Sequence, residues 1–116
     1  MAEQSSIEFF SGNDITLRFS VIDTETSLPL NMSGSLELIW GLAKRQGVLP
    51  IITKTLNEGV NLTDAANGIV EVDLHHDETE PLKGEYYHEM RLTTSGDKQI
   101  TLAYGEVNVI NNSIRD

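Results

Sequence analysis

The residues of this sequence best suited to chemistry lie together in His75-His76-Asp77-Glu78, with Glu80 two positions further on. Imidazole and carboxylate groups are ligands for zinc and calcium. Adjacent residues at a strand end point in opposite directions, however, and no HExxH spacing is present. Only His88 could supply a third imidazole, from a distance. The pattern therefore favours a solvated, acidic strand end, and we assign no metal ligand. Whether His75, His76 and Asp77 bind a metal stays open at this point.

Two further residues with reactive side chains are expected to be structural. His88 shares a strand face with Tyr86 and Met90, which predicts a buried or half-buried imidazole satisfied by a neighbouring backbone carbonyl. Tyr86 follows Gly84 by two positions and Leu82 by four, which resembles a tyrosine corner. In that motif the phenol forms a hydrogen bond with the backbone where the chain crosses between the sheets of a sandwich.

Sequence motifs of common enzyme classes are absent. The nine glycines form no GxSxG, GxxxxGK[ST] or GxGxxG pattern, and the lack of cysteine removes thiol catalysis and thiolate metal sites. Among 18 acidic residues some carboxylates will be close by chance, so only one with a raised pKa would count as evidence of catalysis. We predict that the protein is not an enzyme, with no catalytic residue and no cofactor.

The length and charge of the chain limit the kinds of partner. Its 116 residues predict a single domain, residues 1–116, with a polar leader (1–6) and a polar tail (111–116). A formal charge of -10 repels phosphate backbones and anionic lipid. The sequence contains no signal-peptide pattern and no apolar run of membrane-spanning length. Nucleic acid and membranes are therefore not expected partners.

The first half of the chain alternates between apolar and polar residues with the period of two that is typical of strands. Strands are predicted at 7–10, 15–21, 36–42 and 51–56, with Trp40 facing the core. The stretch 23–29 contains Pro29 and other turn-forming residues, which predicts a loop. Lys44-Arg45-Gln46-Gly47 predicts a hairpin between the third and fourth of these strands.

The second half continues the same alternation. Asn67-Gly68 predicts a turn before a strand with Val70, Val72 and Leu74 inward. Residues 76–84 predict a crossover that can hold one helical turn. Strands at 86–92 and from 100 onward should form a hairpin around 95–98. The inward positions of the last strand change from even (Ile100, Leu102, Tyr104) to odd (Val107, Val109), which predicts a β-bulge at Gly105.

These elements together predict an all-β fold. About seven strands separated by short turns, without sustained helical periodicity, indicate an antiparallel, immunoglobulin-like β-sandwich. Ile22 and Ile39 are apolar residues at positions that are expected to be exposed. We expect these two residues and the strand edges to contact partners.

Three stretches of the sequence, in an order that ends with Tyr104-Gly105-Glu106-Val107, resemble a known family. They are Pro29-Leu30-Asn31-Met32-Ser33-Gly34, Leu62-Thr63-Asp64-Ala65-Ala66-Asn67-Gly68-Ile69-Val70 and Leu82-Lys83-Gly84-Glu85-Tyr86-Tyr87. Their order resembles the N-terminal domain of tailed-phage baseplate upper proteins and related phage tail-associated immunoglobulin-like domains. Asn31 stands where that family usually has Asp, and His88 where an aromatic or aliphatic residue is more frequent.

The resemblance implies a function without catalysis. It implies a structural protein of a tailed phage or prophage, a tail- or baseplate-associated assembly or docking domain located in the virion and assembled in the bacterial host cytoplasm. Its implied partners are other phage tail or baseplate proteins and further copies of itself as a homo-oligomer. The alternative is a carbohydrate-binding or adhesion module of immunoglobulin-like fold. Such a module needs exposed aromatic rings to stack on sugars, whereas four aromatic residues are predicted to face the core: Phe19, Trp40, Tyr86 and Tyr104.

Overall fold

The protein is mostly β-structure. The computed structural model describes residues 3–4, 6–23, 25–33, 35–94, 96, 98–111 and 113. Within these residues nine strands and one short helix occur in the following order: β1 (Glu3–Gln4), β2 (Ile7–Phe10), β3 (Ile15–Ser20), β4 (Ser35–Ala43), β5 (Ile52–Leu56), β6 (Gly59–Asp64), β7 (Ile69–Leu74), α1 (His76–Thr79), β8 (Gly84–Thr94) and β9 (Gln99–Ile110). A 3₁₀ turn, Ala65–Asn67, joins β6 to β7.

The strands form one mixed sheet that curls into a nearly closed, barrel-like fold around the core. Neighbouring strands follow the order β1-β9-β8-β4-β5-β6-β7-β3, and β2 also pairs with β9. Most pairs are antiparallel, but β1 and β2 run parallel to β9. The expectation of a purely antiparallel sheet is therefore wrong. Parallel pairing needs a long connection, and here almost the whole chain lies between the paired strands.

A sharp corner carries the chain from β5 into β6. Thr55 pairs with Gly59 and Leu56 with Val60 in parallel register. The two residues of each pair are only four positions apart in the sequence, too close for a crossover between parallel strands. Asn57 and Gly59 have φ values of 70° and 105°. The short parallel pairing is therefore part of a tight bend in which the chain changes direction around the core.

The core contains the residues that the alternation predicted to face inward. Trp40, Leu38 and Leu42 on β4 are fully buried, and their strand neighbour Ile39 is half-buried. The inward residues of the other predicted strands are also buried: Leu17, Phe19, Val21, Val70, Val72, Leu74, Met90 and Leu92. The side chain of Leu36 lies outside the described part of the chain.

The last strand departs from the expected phase change. The register between β8 and β9 shifts where Met90 pairs with Ala103 and Arg91 with Thr101, which makes Leu102 the extra residue. Leu102 and Ala103 are both buried. The bulge therefore lies at Leu102, three positions before the predicted Gly105, and Tyr104 is turned away from the core. The alternation alone could not locate the bulge, because Tyr104 is apolar enough for either face.

Most predicted connections are confirmed. The β4–β5 and β8–β9 pairs are antiparallel hairpins, although Ser95 and Asp97 of the second turn lie outside the described residues. Gly68 ends the 3₁₀ turn with φ 72°, and the crossover does contain one helical turn, α1. In the predicted polar leader Glu3–Gln4 forms β1. In the predicted tail 111–116, only residues 111 and 113 are described.

Candidate functional site

The histidine pair lies where β7 ends and α1 begins. His75 is the N-cap of α1: its Nδ1 accepts a hydrogen bond from the backbone N–H of Asp77 (3.2 Å), while its own backbone N–H donates to Oε1 of Glu78 (3.0 Å). These two bonds form a capping box, which satisfies donors that a helix start leaves free. Glu78 also pairs with Lys54 of β5 (2.8 Å), so the short helix is fixed to the sheet.

Asp14, in the turn between β2 and β3, joins this pair. Its Oδ1 accepts a bond from the backbone N–H of His76 (2.7 Å) and lies 2.9 Å from His76 Nδ1. An ionised carboxylate only accepts hydrogen bonds, so Nδ1 carries the proton. The rings of His75 and His76 are 3.9 Å apart between centroids. No sequence pattern pointed to Asp14, because it is 62 positions away from His76 and only the fold brings the two together.

The contact between Asp14 and His76 shifts the titration of both groups. The hydrogen bond to Asp14 raises the pKa of His76 above its ordinary value. The pKa of Asp14 is lowered, first by the backbone N–H of His76 and then by its ring. One ligand atom from each of Asp14, His75 and His76 lies within 4.8 Å of the other two. All three side chains are exposed, so water can reach this cluster.

His88 is a core residue, as predicted. It is fully buried, and its Nδ1 accepts a hydrogen bond from the indole N–H of Trp40 at 3.3 Å. Because the indole is only a donor, the neutral imidazole carries its proton on Nε2. The Phe19 ring lies 5.7 Å away. This apolar setting identifies His88 as a packing residue, with a side-chain partner that the sequence did not predict.

Tyr86 occupies the predicted corner. Its phenol oxygen accepts a hydrogen bond from the backbone N–H of Lys83 at 3.0 Å. The bond closes the connection between α1 and β8, where Gly84 has a positive φ of 88°. The prediction that Tyr86 is bonded to the backbone at the crossover is confirmed.

A shallow groove with two tyrosines lies on the outer face of β8 and β9. Tyr87 and Tyr104 are both half-buried and line a hollow of about 310 Å³. The hydroxyl of Tyr87 donates to Oε1 of Glu89 at 2.8 Å. Burial, followed by this bond, raises the pKa of Tyr87 to about 12. Charged side chains border the groove: Lys44, Arg45, Glu85 and Glu106.

The β4–β5 loop carries three exposed apolar residues, Val48, Leu49 and Ile51, which we call the loop patch. Leu49 is 85% exposed, and the other two are 40% and 47% exposed. Val48 and Leu49 line a hollow of about 410 Å³ on the outer face of the sheet, together with Ile39. Of the two predicted apolar exceptions, Ile39 is therefore half-buried beside the loop patch, whereas Ile22 is exposed in another loop.

Comparison with known proteins identifies no family. No protein-family model matches the chain, and no curated protein matches it. Among solved structures it is similar to AggA, the major subunit of aggregative adherence fimbriae type I from Escherichia coli. The two share 15% identity with a TM-score of 0.34, over 91% of this chain and 89% of AggA. At this TM-score the similarity says nothing about function.

No helix in the described part of the chain is long and apolar enough to cross a membrane.

Proposed function

We propose that the protein is a non-enzymatic assembly or docking domain of a tailed-phage tail or baseplate. Two features support the proposal. The three sequence stretches described above occur in the order found in phage baseplate upper proteins. The order of neighbouring strands also resembles that of an immunoglobulin domain, whose strands are lettered A to G. The run β9-β8-β4-β5 corresponds to strands G, F, C and C′ of that fold, and the run β3-β7-β6 corresponds to strands B, E and D.

The observation that carries the docking role is the loop patch. Single exposed apolar side chains are common on protein surfaces, but apolar patches are typical of interaction sites. Here three exposed apolar residues lie within four positions of one loop, and two of them line one hollow. Leu49 is the most exposed of the large apolar residues in the described structure, at 85%. Nothing in the core requires it to be apolar, because it projects from the β4–β5 loop. A partner protein that covers the loop patch would remove this apolar surface from water.

Light scattering and binding measurements test this role. The partners to use are the protein itself and the proteins encoded beside its gene, since phage tail genes occur in ordered clusters. We expect a discrete oligomer or a complex with a neighbouring tail protein. Leu49→Ser should weaken that association, because the apolar contact is lost.

Leu28→Ser is the matched control, because Leu28 is 63% exposed in a different loop. It should leave association unchanged. A protein that stays monomeric and binds none of the encoded neighbours would contradict the proposal. Equal weakening by both substitutions would remove the loop patch as the docking surface.

A second candidate, a carbohydrate-binding or adhesion module, is favoured by one observation. Tyr104 was expected in the core, but it lies outside, next to Tyr87 in a groove bordered by charged residues. Aromatic rings with polar neighbours are suited to contact with sugar rings. Titration with a panel of glycans distinguishes the two functions: saturable binding that Tyr104→Ala abolishes and Leu49→Ser leaves intact would establish the module.

A further inference from the structure

We propose that Asp14, His75 and His76 form a surface site for one divalent transition-metal ion, such as Zn²⁺ or Ni²⁺. Two imidazoles and one carboxylate are a common ligand set for such ions. The three residues come from two segments, the turn between β2 and β3 and the junction of β7 with α1. The sequence pattern pointed to His75 and His76 beside Asp77 and Glu78 but not to Asp14, the ligand that the fold brings to the pair.

The distances suit a metal ion. Zinc lies about 2.0–2.1 Å from nitrogen and oxygen ligands, so two ligand atoms of a tetrahedral site are about 3.3 Å apart. His76 Nδ1 and Asp14 Oδ1 are 2.9 Å apart, now joined through a proton. A metal ion would take the place of that proton, which passes to solvent. One nitrogen of His75 lies within 4.8 Å of a ligand atom from each of the other two residues, so a small adjustment of the exposed side chains would bring all three to one ion.

The backbone at the site is already fixed. The backbone N–H of His76 donates to Asp14 at 2.7 Å, and the capping box of α1 holds the backbone of His75. Thr79 of α1 also donates from its hydroxyl to the carbonyl of Asn13, at 2.8 Å. The ion would therefore meet a preformed arrangement and would need to order only side chains, while solvent completes its coordination.

The surrounding charge favours a cation. The chain has a formal charge of -10, and Asp77 and Glu80 both act electrostatically on His76. The carboxylate of Asp77 lies 3.4 Å from His75 Nδ1 and 3.6 Å from His76 Nε2. Local negative charge raises the concentration of cations at the site. The hydrogen bonds between Asp14 and His76 also have a simpler, structural role, which is to join the β2–β3 turn to α1. A binding experiment distinguishes a metal site from this structural role.

Calorimetric titration of the full-length, tag-free protein with ZnCl₂ and with NiCl₂ tests the proposal. We expect one ion per chain and a higher melting temperature with metal, because the ion joins two segments distant in sequence and binds only the folded state. Ni²⁺ should also broaden the NMR signals of His75 and His76 more than those of His88, which is buried in the core.

Variants identify the ligands. His75→Gln, His76→Gln and Asp14→Asn should each weaken binding by about 10- to 100-fold, as changes in and around metal sites generally do. Glu106→Gln, which removes one exposed negative charge on β9, is the control and should bind like the wild type. Circular dichroism without metal checks that each variant is folded. Absence of binding by the wild type, equal broadening of all three histidines, or unchanged affinity in the three ligand variants would overturn the site.

Discussion

Replacement of Gly68 by alanine tests how closely the chain packs where β6 turns into β7. Gly68 has a left-handed backbone conformation, with φ 72° and ψ 22°. A Cβ atom there would lie 2.5 Å from the carbonyl oxygen of Val21 and 2.9 Å from that of Leu30. Both are backbone atoms that cannot rotate away. The carbonyl oxygen of Gly68 also accepts a hydrogen bond from the backbone N–H of Val21 at 2.9 Å, so any shift of the backbone strains that bond.

The expected loss has two parts. An alanine in the left-handed region costs about 1–2 kcal/mol, of which about 0.4–1 kcal/mol is recovered through the smaller entropy of the unfolded chain. Forcing extra volume into a packed site costs about 1–3 kcal/mol more. Gly68→Ala should therefore lower the free energy of unfolding by about 2–4 kcal/mol, a large share of the roughly 5–15 kcal/mol typical of a domain.

Gly47→Ala is the matched control. Gly47 also has a positive φ, 86°, but a Cβ atom there meets nothing within 4 Å, so only the conformational cost applies. Urea titration measures both variants through the fluorescence of Trp40, the single tryptophan, which is fully buried. Gly68→Ala should be the less stable variant by about 1–3 kcal/mol. A difference below about 0.5 kcal/mol, the usual error of such comparisons, would refute the steric argument.

Three further predictions concern the aromatic residues. Trp40→Ala should lower the free energy of unfolding by about 3–5 kcal/mol; circular dichroism measures it, and a loss below about 1 kcal/mol would contradict the burial of Trp40. Tyr86→Phe should cost about 0.5–1.5 kcal/mol, because the N–H of Lys83 loses its partner; an unchanged urea midpoint would argue against the corner. Because the pKa of Tyr87 is raised to about 12, absorbance titration should show a tyrosine ionising near that pH, and Tyr87→Phe should remove the step. The native state binds this proton more tightly than the unfolded chain, so stability should decline as pH rises from 10 through 12.

The sequence predicted most of the core but only part of each candidate site. Trp40 and His88 could be placed because strand alternation has a fixed period, which assigns faces without knowledge of the fold. The histidine pair was recognisable from its residue types. Asp14 was not, because no local pattern links an aspartate in one turn to a histidine 62 positions later. Tyr104 was misplaced because one extra residue at Leu102 reverses every later face of the strand.

Local chemistry in the sequence decided the β-rich class, the positions of most strands, the turn at Gly68 and the corner at Tyr86. These features depend on residues within a few positions of one another, where propensity and periodicity act directly. The tertiary structure alone decided the parallel pairing of β2 with β9, the position of the bulge and the meeting of Asp14 with the histidine pair. Each of these depends on segments that are distant along the chain, and their contacts are set by how the whole core packs rather than by any local preference.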